Sequence, residues 1–432
     1  MALKSYSMLD IKFIVENPSE VKDNLKKRFK GDKVWMVDEL LSDYETFKKF
    51  KKQSDDLRSK RNKLSEEINK LKKGKKDAKK QIKESSKIPS ELKTLEEDLN
   101  LINEEMRKKL VQLPNMLHES VPIGKDESKN PEIKKVGKPK KIAFELKNHG
   151  ELAESLNVAN FDAGRKAAGQ GFNYIYGELA QLDNALQRYG VDFLIKKGFK
   201  LVVPPMLLNK KTLSGAVNFG DFEDVVYKIE NEDLYLIGTA EHPLAAMLQN
   251  ETLNKKDLPL KLCAVTPCFR KEIGSRGVDT KGLFRMHQFN KVEQLMLTTP
   301  ENSFKQLEEL EKLTEEFFKS LEIPFRVIEI CSGDLGDKMA KQYDIEAWFP
   351  RKKVYREVTS AGNCTDYQAR KLNIRFTDGN DRRFVHILNN TMVATSRAMV
   401  TILENFQQKD GSVKIPKVLH KYLNFKEIKP KK

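Results

Sequence analysis

Pro267 to Glu293, PCFRKEIGSRGVDTKGLFRMHQFNKVE, is the stretch that decides how this chain is read. A short apolar lead, Leu262-Cys263-Ala264-Val265, reads as a strand and runs into Phe269-Arg270-Lys271-Glu272. A stretch dense in glycine and charge follows, with Gly274, Ser275, Arg276, Gly277, Asp279, Thr280, Lys281 and Gly282, and is expected to be a mobile cationic loop. Phe284-Arg285-Met286-His287-Gln288-Phe289 then reads as a returning strand that closes on Val292-Glu293. Two strands joined by such a loop suit a nucleoside triphosphate. Arginines fork onto phosphate oxygens, an aromatic such as Phe289 stacks on a base, and a carboxylate such as Glu272 accepts from an exocyclic amine. Composition alone also fits an ordinary surface hairpin, and it is the order of the residues that separates the two.

Phe-Arg-x-Glu, a loop, then Arg-x-x-x-Phe-x-x-x-Glu resembles motif 2 of the class II aminoacyl-tRNA synthetases. The fuller string GLFRMHQFNKVE resembles the version in the seryl-tRNA synthetase family. The resemblance implies an α+β fold: an antiparallel sheet flanked by helices, with an N-terminal antiparallel coiled-coil arm.

The rest of the chain can be set against that expectation. At 432 residues it has room for two or three domains, and its net charge of +16 points to a polyanionic partner, nucleic acid before membrane. No run approaches the ~20 apolar residues that span a bilayer. The N-terminus MALKSYSMLDIKF lacks the apolar core of a signal peptide; Met8 is an alternative start and residues 1–7 a short extension. Four scattered cysteines, Cys263, Cys268, Cys331 and Cys364, fit neither a disulfide framework nor a zinc pair, so a reducing cytoplasmic setting is expected.

Residues 8–35 read as a small helical cap, including a helix from Pro18 to Phe29. Heptad-like spacing then runs through Leu40, Tyr44, Phe47, Phe50, Leu57, Leu64, Ile68 and Leu71. It resumes through Leu92, Leu95, Leu99, Ile102, Met106 and Leu113. Ser54 and Arg61 interrupt the first seam. Gly74, Ser85, Ser86 and Pro89 can turn the chain, which gives a helical hairpin whose first helix projects roughly 50–60 Å. Nine lysines against two acids lie between residues 70 and 87. Such a run is often just solvated, but a cationic tip on a long lever suits phosphate contact. The resemblance implies an arm that recognises tRNA. The expected organisation is a tRNA-binding domain over 1–117, a Pro, Gly and Lys-rich linker over 118–150, a catalytic domain over 151–425 and a disordered basic tail over 426–432.

Within the body, Gly171 to Lys197 reads as an amphipathic helix. Leu201-Val202-Val203-Pro204-Pro205-Met206 reads as a strand closed by prolines. By resemblance these form motif 1, with Pro205 at a homodimer interface. Gly238-Thr239-Ala240-Glu241-His242 alone reads as a helix cap with an acidic first turn; by resemblance it is the serine-recognition loop. His242 is expected to be packing rather than catalysis. A helix is expected over 301–322 and a strand from Phe325 to Ile330, followed by Cys331-Ser332-Gly333-Asp334-Leu335-Gly336, another family-like segment. Asp337 to Lys341 has a faint look of the KMSKS loop of class I synthetases, rejected because none of the six histidines forms an HxGH element. Strands are expected over Tyr343 to Trp348 and Arg356 to Ser360. Val385 to Thr391 followed by a helix from Met392 to Asn405 resembles motif 3, with Arg397 one to two turns into an apolar helix. A buried arginine there needs an anion.

The resemblance implies serine–tRNA ligation through a seryl-adenylate, with L-serine, ATP and tRNA(Ser) as partners; whether tRNA(Sec) is charged is left open. Arg270 is expected on the α-phosphate and Arg285 and Arg397 on the outer phosphates, Arg270 and Arg397 being the catalytic pair. Phe289 should stack under adenine and Glu272 read its amine, with Lys271, Met286, Val358 and Thr359 also at the nucleotide. Glu357 and Ser360 should hold Mg²⁺. Thr239, Ala240, Glu241, Arg270, Glu293, Asn389 and Thr391 should form the serine pocket. No zinc is expected. Lys271 and His242 depart mildly from many members and point to the archaeal or eukaryotic branch. Two rivals, a ligase charging a carrier-protein thiol and a non-catalytic RNA binder, fit less well: the first lacks a reason for the arm, the second for the retained arginines.

Overall fold

The structure, a computed structural model, describes residues 10–217, 224–272 and 282–430. The expected loop residues Gly274 to Lys281, the short extension 1–7 and the last two lysines lie outside the described residues. Those described fall into two compact units, 10–114 and 115–430. No helix among them is long and apolar enough to cross a membrane.

The first unit is helical. Two short helices, Ile11–Glu16 and Pro18–Lys27, precede α1 (Trp35–Lys73), and the chain returns through α2 (Lys79–Ser85) and α3 (Ile88–Leu110). The 39 residues of α1 span about 58 Å at ~1.5 Å each. Leu40 and Leu64 on α1 and Ile88, Leu92 and Met106 on α3 are buried, as the heptad spacing requires. The pairing is antiparallel. Asp43 meets Lys109, Arg58 meets Glu96 and Lys60 meets Glu84, so advance along α1 is matched by retreat along the returning chain. Of the two interruptions, Ser54 is buried with its hydroxyl unpartnered among the described residues, while Arg61 is exposed. The turn is made at Gly74 and at Lys75, whose φ is +53°. Ser85, Ser86 and Pro89 lie beyond it, where α2 gives way to α3.

The second unit is built on one sheet. Its strands are β1 (Glu132–Val136), β2 (Lys200–Leu201), β3 (Leu260–Phe269), β4 (Gln288–Thr298), β5 (Phe325–Glu329), β6 (Lys341–Phe349), β7 (Val354–Asn363) and β8 (His386–Ala394). Their spatial order is β1-β5-β6-β7-β8-β4-β3-β2, antiparallel throughout except for β2 with β3. The helices that matter below are α4 (Gly177–Lys196), α5 (Glu241–Ala246), α6 (Ser303–Ser320), α7 (Tyr367–Leu372) and α8 (Thr395–Asn405). α4 and α8 share the largest apolar core with Val292 and Val393. Gly190 lets α4 approach the sheet, since a Cβ there would stand 3.2 Å from Val292 and 3.3 Å from Val393. α6 covers the sheet through Gln294 and Asn390, whose amides donate to Thr314 at 3.0 and 2.9 Å.

Several expectations are corrected. The proposed linker over 118–150 contains β1, the sheet's outermost strand; four of its five residues are exposed and three are charged, so no apolar alternation announces it. The tail over 426–432 is not disordered as far as it is described. Glu427–Ile428 pairs with Val413–Lys414, because Ile428 buries its side chain. The motif 1 strand stops at Leu201, since Pro204 and Pro205 offer no N–H to a ladder. The helix expected from Gly171 begins at Gly177, and Tyr174 instead pairs with Asn160. Phe284 to His287 precede β4 rather than belonging to it. β8 runs on to Ala394, so Arg397 stands in the first turn of α8, partly exposed, instead of deep in an apolar helix.

Glu311, on the sheet-facing side of α6, is buried, and neither carboxylate oxygen has a partner among the described residues. Burial, with repulsion from Glu315, Asp344 and Glu308, pushes its pKa up to about 8 from an ordinary 4.5. The unfolded chain releases this proton near 4.5 and the folded one near 8, so the native state holds the extra proton between them and stability falls as pH rises through that window. Glu311→Gln is therefore expected to raise the melting temperature by about 2–4 °C at pH 8 and to change it little at pH 4.5. Thermal melts of both proteins across that range check this.

Candidate active site

Strands β3, β4, β7 and β8, with the turns at their ends, surround a cavity of about 260 Å³. Strand register selects what faces it. Glu293 on β4 pairs with Thr391 on β8, and Gln294 pairs with Asn390. Gln294 and Asn390 point to α6, so the alternation of a pleated strand turns Glu293, Asn389 and Thr391 to the opposite face. Asn389 and Thr391 line the cavity, and Glu293 is fully buried behind them.

One end of the cavity is rich in arginine. Arg270, at the end of β3, donates from Nε to the Gly238 carbonyl at 3.1 Å and lies 5.7 Å from the Phe289 ring centre. Arg285 Nε donates to Glu272 at 2.5 Å, and Arg397 Nη1 donates to Glu357 at 2.8 Å. Both ion pairs are partly exposed and so weakly held. Glu272 has a φ of +48°, a left-handed backbone that a glutamate adopts at a cost. Phe284 carries two guanidinium groups, Arg356 at 3.6 Å and Arg397 at 5.3 Å from its ring centre. Met286, Val358, Thr359 and Ser360 complete this side.

The other end is a set of buried charges. Glu241, the first residue of α5, has its Oε1 held by the Lys338 ammonium and by Gln368 Nε2, the latter at 2.6 Å. Burial, the largest influence, pushes this carboxyl up, but the charge and hydrogen bond of Lys338, with His242 and the Gln368 hydrogen bond, together hold the pKa down at about 2. Glu293 is ion-paired with Lys291, which also donates to Thr391 at 3.3 Å. Thr239 donates to Glu293 at 3.2 Å and accepts from the Glu241 N–H at 3.3 Å. Glu293 Oε1 and Asn389 Oδ1 are buried and lack partners among the described residues, so acceptors stand ready for a polar ligand. Burial pulls the pKa of His242 down to about 3, which leaves a neutral imidazole at pH 7.

Of the residues singled out in the sequence, Thr239, Glu241, Arg270, Glu272, Arg285, Met286, Phe289, Val358, Thr359, Asn389, Thr391 and Arg397 line this cavity, as do Glu357 and Ser360. Lys271 does not; its ammonium lies 6.0 Å from the Tyr227 ring centre. Ala240 is buried as the cap of α5, and Pro205 lies outside the cavity. Sequence reading missed Phe284, Lys291 and Ser396 in the lining and Lys338 behind it. Lys291 was within reach, since it stands two residues from Glu293 on one strand and so shares its face. Lys338 carries no such signal; it comes from a turn between β5 and β6.

Comparison with known proteins agrees with this geometry. Residues 225–406 match the model of the tRNA synthetase class II core domain (G, H, P, S and T), and residues 8–117 match the seryl-tRNA synthetase N-terminal domain. The serine–tRNA ligase of Methanospirillum hungatei is 49% identical over 424 residues, covering 98% of this chain and 100% of that one. The crystal structure of seryl-tRNA synthetase from Pyrococcus horikoshii complexed with ATP superposes with a TM-score of 0.94 at 46% identity, over 98% of this chain and 100% of that one. Cytoplasmic serine–tRNA ligase from Naegleria fowleri in complex with AMP gives a TM-score of 0.89 at 33% identity, over 99% and 100% of the two chains. Sheet, cavity and full-length similarity coincide, and the chain belongs to the seryl-tRNA synthetase family of class II aminoacyl-tRNA synthetases.

Proposed function

We propose that this serine–tRNA ligase forms seryl-adenylate in the cavity between β3, β4, β7 and β8. The serine carboxylate, already ionised, attacks the α-phosphorus of ATP and pyrophosphate leaves. The terminal ribose hydroxyl of tRNA(Ser) then attacks the seryl carbonyl and AMP leaves. One observation carries the assignment of residues: Arg270 and Arg397 share a single cavity with Thr239, Glu241, Asn389 and Thr391. Arg270 holds the α-phosphate. Arg285 and Arg397 exchange their exposed carboxylate partners for the outer phosphates, a swap that weak surface pairs permit. Phe289 stacks on adenine, and Glu272, released by Arg285, accepts from its amine. Thr239, Glu241, Glu293, Asn389 and Thr391 surround serine, whose hydroxyl and ammonium meet acceptors that an analogue without them would leave unpaired.

Glu357 and Ser360 are the residues that would hold Mg²⁺. They offer a carboxylate and a hydroxyl that both line the cavity from β7, hard oxygen donors of the kind this ion takes alongside phosphate oxygens. Among the described residues no group of three or more His, Cys, Asp or Glu is arranged to hold a metal, and an ion bound largely by its substrate needs none. When bound, it supplies charge neutralisation on the triphosphate.

The helical unit, proposed as the domain over 1–117, grips tRNA through the lysine-rich turn between α1 and α3, and the unit proposed over 151–425 performs the chemistry. Exposure of Leu201, Val203, Met206 and Leu207 around Pro205, with Val203 at 89%, supports a homodimer through motif 1. Four reduced cysteines suit a cytoplasmic setting.

Pyrophosphate exchange with each amino acid should respond to serine, both in the full chain and in a version lacking residues 40–113. Only the full chain should charge tRNA; equal charging by the shortened form would remove the arm's role. Arg270→Ala should lower exchange by about 10²–10³-fold, as loss of a preorganised cation does, while tRNA binding measured by filter retention stays near wild type.

A further inference from the structure

We propose that Lys338 is a positioning residue for amino-acid recognition, clamping one oxygen of Glu241 so that the other meets the substrate. This rests on the serine-activation reading above. Lys338 does not line the cavity; it stands behind Glu241 in the turn between β5 and β6. Its ammonium and Gln368 Nε2 converge on the same carboxylate oxygen, Oε1. Oε2 accepts no hydrogen bond from a described residue, and Glu241 borders the cavity. The two donors are themselves anchored. Gln368 also donates to the Ala216 carbonyl at 2.7 Å, and the backbone carbonyl of Lys338 accepts from Asn115 at 3.0 Å.

The physical need is plain. Glu241 is almost wholly buried, and a buried carboxylate that loses its cation either takes up a proton or turns toward another donor. The nearby cations are already engaged: Lys291 pairs with Glu293, and Arg270 Nε binds the Gly238 carbonyl. Without Lys338, Glu241 keeps only the neutral Gln368 donor on Oε1, which does not balance its buried charge, and Oε2 ceases to be a ready acceptor for the serine ammonium or hydroxyl. The consequence falls on the amino acid and not on ATP, because the phosphate side is held by other residues.

The test is serine-dependent pyrophosphate exchange by the full chain carrying Lys338→Met. We expect KM for serine to rise about 10–100-fold, the size of one lost hydrogen bond to a charged group, with KM for ATP at saturating serine unchanged within about twofold. Lys338→Arg should recover most of the loss. On a Glu241→Gln background, Lys338→Met should add little, because it acts through that carboxylate. The proposal is overturned if KM for serine is unchanged, if the KM values for serine and ATP rise together, or if the two substitutions multiply. A wild-type protein with no response to serine would instead overturn the activation reading, and this inference with it.

Discussion

The registry between β4 and β8 is the constraint on which the catalytic unit depends. Glu293 opposite Thr391 and Gln294 opposite Asn390 divide four polar residues between two faces of one sheet. The inner pair is locked to Thr314 of α6, and the outer pair is given to the cavity. A slip of one residue would send the amides into the site and the carboxylate into the helix interface. Two direct hydrogen bonds to Thr314 and one to the Leu310 carbonyl hold the register at the back, and the Lys291–Thr391 hydrogen bond holds it at the front. The same alternation that builds the core therefore aims the chemistry.

Charge in the cavity is arranged at two depths. Toward the protein interior, each buried carboxylate has its own lysine, Glu241 with Lys338 and Glu293 with Lys291. Burial makes such pairs hard to separate, so these carboxylates are held in place. Nearer the opening, Arg285 and Arg397 rest on Glu272 and Glu357 in pairs that water reaches. Pairs that water reaches separate at small cost, which is what the proposed binding of phosphate by these guanidinium groups requires. A rigid buried end beside an exchangeable exposed end suits the proposed reaction, which must choose a small amino acid and then neutralise a triphosphate.

The helical unit follows a different logic. Its seam is narrow, and Ser54 and Arg61 weaken it. Ion pairs between the antiparallel helices add registry more than stability, since most are exposed. The proposed grip on tRNA needs reach and charge, and a 39-residue helix ending in a lysine-rich turn supplies both without a large core.

The sequence by itself determined the local periods and the chemical inventory. Heptads at 40–113, the strand-like lead into Arg270, the order of residues in the segment ending at Glu293 and the arginine at 397 carried the family resemblance, and it was the resemblance that implied the fold class and most of the residues that share the cavity. These features are local, and short-range spacing records them. Tertiary structure decided what depends on partners far along the chain. β1 is a strand because β5 offers it an edge, and Ile428 docks because Val413 is there. Lys338 matters because the fold carries a turn past residue 330 to a carboxylate at 241. A lysine's worth as a counter-ion is set by the burial of the acid it meets, and burial is a property of the packed chain that no spacing of residues encodes.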